Sequence, residues 1–100
     1  MTYKYEFPDY DDVLPSIDGF EDESWHNDVS PSLGRKLFTN TYIKLWCDYK
    51  DEAMREVGGK QYTVTHYSDD NFDYLPMFSS DDIEEVKKFI KQFLQLNGKE

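Results

Sequence analysis

From Thr41 to Tyr49 the chain alternates: Ile43, Leu45, Cys47 and Tyr49 fall on one side, Tyr42, Lys44, Trp46 and Asp48 on the other. That period of two is the mark of a half-buried strand. "QYTVTHY" repeats it, with Tyr62, Val64 and His66 on one face. Between these runs lies "KDEAMREVGGK", too long for a tight hairpin turn; it reads as a polar excursion with one helical turn, closed at Gly58-Gly59. "FDYLPMF" reads as a third strand, and Pro76 assigns it to a sheet edge. The period then changes. In "SSDDIEEVKKFIKQFLQLNG", Ile83, Val86, Ile90, Phe93 and Leu94 form one stripe at helical spacing. Ser79 or Ser80 is the expected N-cap, acids crowd the first turn where the helix dipole favours them, and Asn97-Gly98 is a stop signal.

The first third has little of this order. Tyr3, Tyr5 and Phe7 alternate with polar residues, which suggests a short strand ended by Pro8. "PDYDDVLPSIDGF" is turn-rich, and Ser30, Pro31, Ser32 and Gly34 mark another loop. A helix with one apolar stripe and a sheet with one apolar face need each other as cover. The expected fold is therefore α+β: a small antiparallel sheet of three to four strands with a C-terminal amphipathic helix packed on one face. One domain of 100 residues is expected, with an acidic, loop-rich segment at 1–36 and a strand-strand-helix scaffold at 37–100.

Composition changes this picture in one respect. The formal net charge is −10, and it is concentrated. Nine acids (Glu6, Asp9, Asp11, Asp12, Asp18, Glu21, Asp22, Glu23, Asp28) stand against Lys4 alone in the first 30 residues. Direct binding to nucleic acid or to an anionic membrane is disfavoured, and a basic partner surface is favoured. With 17% aromatic residues the chain has too many large rings for a disordered tail. Cys47 is the only cysteine, so no internal disulfide forms. No signal peptide or membrane-spanning run is legible, and the expected location is the cytoplasm of a bacterial host cell.

Candidate chemistry is sparse. Ser24, His26 and Asp28 are triad residue types, but an extended chain sets neighbours ~6.6 Å apart, beyond the reach of a nucleophile and its base. Cys47 shares its face with Ile43 and Leu45, which makes it a core residue rather than a partner of His66. In "SDDNFDY", Asp69, Asn71 and Asp73 match the start of a calcium loop, but Tyr74 replaces the glycine and Ser80 the terminal glutamate. Phosphate-cradling glycine motifs are absent. No catalytic residue, metal ligand or cofactor is assigned. Trp25, set among Glu21, Asp22, Glu23 and Asp28, is either a core plug or an aromatic anchor inside an acidic rim. Trp46 lies on the polar strand face, which is either covered by the first third or open to a partner.

The acidic run from Glu6 to Asp28, with Asp69, Asp70, Asp73, Asp81 and Asp82, resembles in charge and size the small inhibitors that phages and plasmids direct at restriction enzymes and CRISPR complexes. It is similar also to acidic immunity proteins and antitoxins that plug nuclease sites. The resemblance implies a non-enzymatic inhibitor that binds a basic, nucleic-acid-binding surface of a partner protein, with the anti-CRISPR form expected first. The alternatives are an immunity protein or antitoxin, and a housekeeping acidic domain whose charge maintains solubility. The expected contact residues are Asp11, Asp12, Glu21, Asp22, Glu23, Trp25 and Asp28. Duplex DNA carries one charge per ~1.7 Å of axis. Nine acids over 23 extended residues at ~3.3 Å each give roughly one per 8 Å. Mimicry thus requires the fold to bring the two acidic groups onto one continuous face.

Overall fold

The computed structural model describes residues 3–28, 30–36, 41–55, 59–68 and 71–96. Among these, five strands form one antiparallel meander in the order β1 (Glu21–Asp22), β2 (Ser32–Lys36), β3 (Thr41–Cys47), β4 (Tyr62–Ser68) and β5 (Asn71–Ser80). A helical turn, α1 (Tyr3–Glu6), precedes the sheet, a 3-10 turn (Glu52–Met54) lies between β3 and β4, and α2 (Ile83–Leu96) ends the described chain. The α+β architecture is as expected, with one strand more than the upper expectation.

The added strands lie in the stretch that reads as loop. In β2, "SLGRK", Leu33 is the one large apolar residue, so alternation has nothing to register. Its pairing is supplied from outside, by β3, through Leu33↔Leu45 and Arg35↔Ile43. The expected strand at residues 2–7 is instead α1, where the Phe7 amide donates to the Tyr3 carbonyl. Among the described residues no strand pairs with that segment; the Asp22 carboxylate accepts from the Tyr3 amide at the start of the turn.

One sheet face is apolar and covered. Leu33, Ile43, Leu45, Cys47, Tyr62 and Val64 form the core with Val86, Ile90 and Leu94 of α2. Phe89 stacks on Phe78 at 4.8 Å, and Phe93 meets His66 edge-on at 6.4 Å. The helix is capped by Asp82 rather than Ser79 or Ser80: its Oδ1 accepts from the Glu84 amide. Ser80 instead donates to Glu85 Oε1 and accepts from the Asp82 amide, bracing the entry from β5. Asn97 and Gly98 lie outside the described residues.

Pro76 is on edge strand β5, as expected. The register there jumps from Val64↔Phe78 to Thr65↔Pro76, leaving Met77 as the extra residue of a bulge. The proline thus sits where the ladder is already interrupted, and Met77 packs against the core.

The first third also covers the apolar face. Tyr10, Leu14, Ile17 and Phe20 pack against the same core as α2, and Phe7 is buried. Trp46 belongs to the opposite face with Tyr42 and Lys44, a face that the first third reaches through Glu23, which pairs with Lys44 at 3.5 Å. There Lys44 Nζ stands 4.8 Å over the Trp46 ring, and Trp46 Nε1 donates to Thr65 Oγ1.

Candidate functional site: an acidic end of the sheet

The C-terminal end of β3, the start of β4 and the end of β5 lie side by side, through Cys47↔Tyr62 and Tyr62↔Ser80. Acids from distant parts of the sequence collect at this end. Gln61 joins two of them: its side-chain amide donates to Asp12 Oδ2 at 2.9 Å, and its backbone amide to Asp81 Oδ1 at 2.7 Å. Asp11 accepts from the amides of Lys50 and Asp51, one on each oxygen, at 2.7 and 2.8 Å. Asp9 accepts from the Tyr49 hydroxyl at 2.8 Å. Asp51 caps the 3-10 turn, accepting from the Ala53 amide.

These hydrogen bonds fix position, and at Asp11 and Asp81 they bear on charge as well. Desolvation pushes the Asp11 carboxyl up, but the amides of Asp51 and Lys50 outweigh it and leave the group below its usual range. The Gln61 amide does the same for Asp81, helped by Arg55 and Lys60. An acid that accepts backbone N–H bonds is stabilised in its ionised form.

Arg55 holds the loop that carries much of this end. Its side chain is only 4% exposed. Nε donates to the Tyr49 carbonyl, Nη2 to that of Lys50, and Nη1 to that of Gly59 and to Asp81 at 3.3 Å. Neither Arg55 nor Gln61 was marked out by the sequence, since each is a lone polar residue in a polar stretch. Beside them a cavity of about 260 Å³ opens between the Trp46 ring and the loop, lined also by Asp48, Lys60, Thr63 and Ser79.

The expected contact residues separate into two groups. Asp11 and Asp12 belong to the acidic end. Glu21, Asp22 and Glu23 lie along the β1 edge. Asp22 turns inward and accepts from the amides of Tyr3 and Ser24. Glu23 lies over Gly34 and pairs with Lys44 at 3.5 Å. Glu21 is exposed. Trp25 is 42% exposed and therefore no core plug; its ring stands 4.3 Å from that of His26. Asp28 closes the same turn, its amide donating to the Trp25 carbonyl. This turn leads toward Pro31, whose carbonyl accepts from the Cys47 amide, so it joins β2 at the acidic end.

The triad types have other occupations. Ser24 Oγ is buried and accepts from the Ser32 amide, while His26 Nδ1 faces Glu6 Oε1 at 2.8 Å. That contact holds the Glu6 carboxyl below its usual range. Cys47 is fully buried, and burial pushes its thiol up. Among the described residues, no three of His, Cys, Asp and Glu are grouped as a metal site, and no helix is long and apolar enough to cross a membrane. Asp69 and Asp70, and the side chain of Asp73, lie outside the described residues. No protein-family model, curated protein or solved structure matches this chain.

Proposed function

We propose that this is a non-enzymatic acidic binding protein whose target is a basic, nucleic-acid-binding surface of another protein, in its most specific form a phage-type anti-CRISPR or other anti-defence inhibitor. The observation that carries the reading is the convergence of Asp12 and Asp81 on Gln61, with Asp9, Asp11 and Asp51 beside them. Charges 69 residues apart in sequence (12 to 81) share one end of the sheet. Several are short side chains held by backbone amides, so little conformational freedom remains to be lost when a cationic surface docks. Exposed Trp25 on the turn entering β2 supplies an aromatic group of the kind that anchors interfaces.

A second reading has its own support. Asp11, Asp22 and Glu6 are committed to hydrogen bonds within the chain, so part of the acidity serves the fold. An acidic domain with no charge-based partner would need no more than that.

The two readings separate in a capture experiment from bacterial lysate, with salt-graded elution and excess duplex DNA as competitor. The proposal expects an identified nuclease or CRISPR component that salt releases and DNA displaces. It also expects that Asp12→Asn with Asp51→Asn slows association and flattens its salt dependence. Retention that ignores salt, DNA and both substitutions overturns it.

A further inference from the structure

The cavity of about 260 Å³ beside Trp46 lies where the acidic end meets the sheet face opposite α2. Its lining takes Asp48, two residues after Trp46, and not Lys44, two residues before it. The cavity therefore opens on the side of the ring away from the Lys44 ammonium. Trp46 is half-buried, and ring surface remains for a ligand to cover.

The polar walls are held in place by the fold. Asp48 is 9% exposed. Its amide donates to the Gln61 carbonyl at 2.6 Å, and its Oδ1 accepts from the Tyr49 amide at 2.8 Å. An ionised carboxylate offers about four acceptor positions, so a bond of this kind fixes its direction while it still accepts others. The Ser30 side chain is buried, and Thr63 Oγ1 and Ser79 Oγ stand 3.2 Å apart on neighbouring strands. Gln61 joins this wall to Asp12 and Asp81. Lys60 is the one cation in the lining; its side chain is 61% exposed, with Nζ 3.8 Å from Asp81, so an acid already matches it at the mouth.

We infer that this cavity receives an arginine side chain of the partner, its guanidinium plane against the Trp46 ring and its N–H groups directed to Asp48 and the hydroxyls of Ser30 and Thr63. That the guanidinium belongs to a partner protein rests on the basic target proposed above. The volume falls below the ~300–1,000 Å³ of drug-sized sites, which fits one side-chain head and not a cofactor. Asp48 and the acids joined on Gln61 oppose an anion, and a charge inside a cavity acts through a lower effective dielectric than one in open water. A neutral polar group forgoes that attraction. A guanidinium is preferred to an ammonium because its planar fork of five donors reaches acceptors on several walls, it stacks on an aromatic ring, and it is the less strongly hydrated cation.

The test is a chemical-shift titration of the full chain with acetyl-Gly-Arg-Gly-amide and with the same peptide carrying lysine or citrulline, the neutral isostere of arginine. The arginine peptide is expected to saturate at millimolar concentration, with shifts centred on the Trp46 indole and the Gln61 and Thr63 amides. Citrulline should bind about tenfold more weakly, the loss of one charge-assisted contact, and lysine should fall between them. Asp48→Asn, which keeps an oxygen for the Tyr49 amide, should weaken the arginine peptide about tenfold once its own spectrum confirms the fold. Lys60→Gln, at an exposed position, should strengthen it about twofold. Equal affinity for arginine and citrulline, shifts centred elsewhere, no saturation up to about 10 mM, or weakening in Lys60→Gln each overturns the inference. Selective arginine binding sustains it even where capture from lysate finds no basic target. A captured target that Asp48→Asn still holds with full affinity overturns it and leaves the proposed function standing.

Discussion

The sheet with α2 and the first third of the chain are held by different forces. In the former, Ile43, Leu45, Val64, Val86 and Ile90 are almost completely excluded from water, and alternation or helical spacing places each of them. In the latter, apolar contact is partial and carboxylates do much of the fastening. Glu6 accepts from the His26 amide, Asp22 from Tyr3 and Ser24, Asp9 from the Tyr49 hydroxyl, Asp11 from Lys50 and Asp51, and Asp12 from Gln61. A segment without regular ladders still has backbone amides to satisfy, and short acids satisfy them without a partner strand. A run of acids in a sequence can therefore be a set of hydrogen-bond acceptors as well as a surface charge.

The largest effect is expected where that contrast is sharpest. Ile90 lies at the centre of the α2 stripe, 2% exposed. Ile90→Ala should cost about 2–5 kcal/mol, the ordinary range for truncating a buried aliphatic side chain. It should also loosen the first third, because Tyr10, Leu14 and Ile17 rest on the same core. Urea denaturation followed by far-ultraviolet circular dichroism and by hydrogen exchange in residues 9–20 checks both points. Unchanged exchange in that segment would show that its carboxylate contacts hold it without the core.

How much was legible follows from the same division. The faces of β3 and β4 and the helical stripe are periodic signals set by burial, and periodicity survives in a bare sequence; the edge position of Pro76 was legible because proline has no N–H to give a central ladder. β2 was not legible, because Leu33 gives no period to detect and Gly34 and Ser32 read as loop. The acidic end was half legible. Asp11 and Asp12 stand out by charge, but their joining to Asp81 depends on Gln61, which carries no charge and no period. Arg55 was equally hidden, since its role is defined by three carbonyls that only the folded loop brings together.

Asp11→Ala comes next in size. It leaves the amides of Lys50 and Asp51 to water, and because the site is exposed the cost should be about 1 kcal/mol. Faster hydrogen exchange should be confined to residues 49–52, read by mass spectrometry.

The same contacts set a dependence on acid. The ordinary values are 4.5 for Glu6 and 3.8 for Asp11 and Asp81, and the folded state holds all three lower. A depressed carboxylate contributes stability that is complete above its unfolded value and is lost as pH falls through its folded value. The His26, Lys50 and Gln61 amide resonances should therefore move together with local loosening below about pH 4, while core amides such as that of Val64 hold. Core and acidic-end amides titrating in one step would show that the two regions are a single unit.

The smallest effect isolates an acid that serves the fold least. A Cβ at Gly34 would strike the Glu23 carboxylate, but that carboxylate is the end of a flexible side chain and can swing away. Gly34→Ala then breaks only the 3.5 Å pair with Lys44, whose Glu23 partner is 46% exposed. Exposed pairs contribute little, and alanine is better than glycine inside a strand by about 0.5–1 kcal/mol. The net change in stability should fall within about 0.5 kcal/mol of zero in thermal denaturation. A loss as large as that of Asp11→Ala would place Glu23 among the carboxylates that fasten the first third. A change near zero would leave it, with Glu21, as charge that the fold does not use and that a partner is free to read.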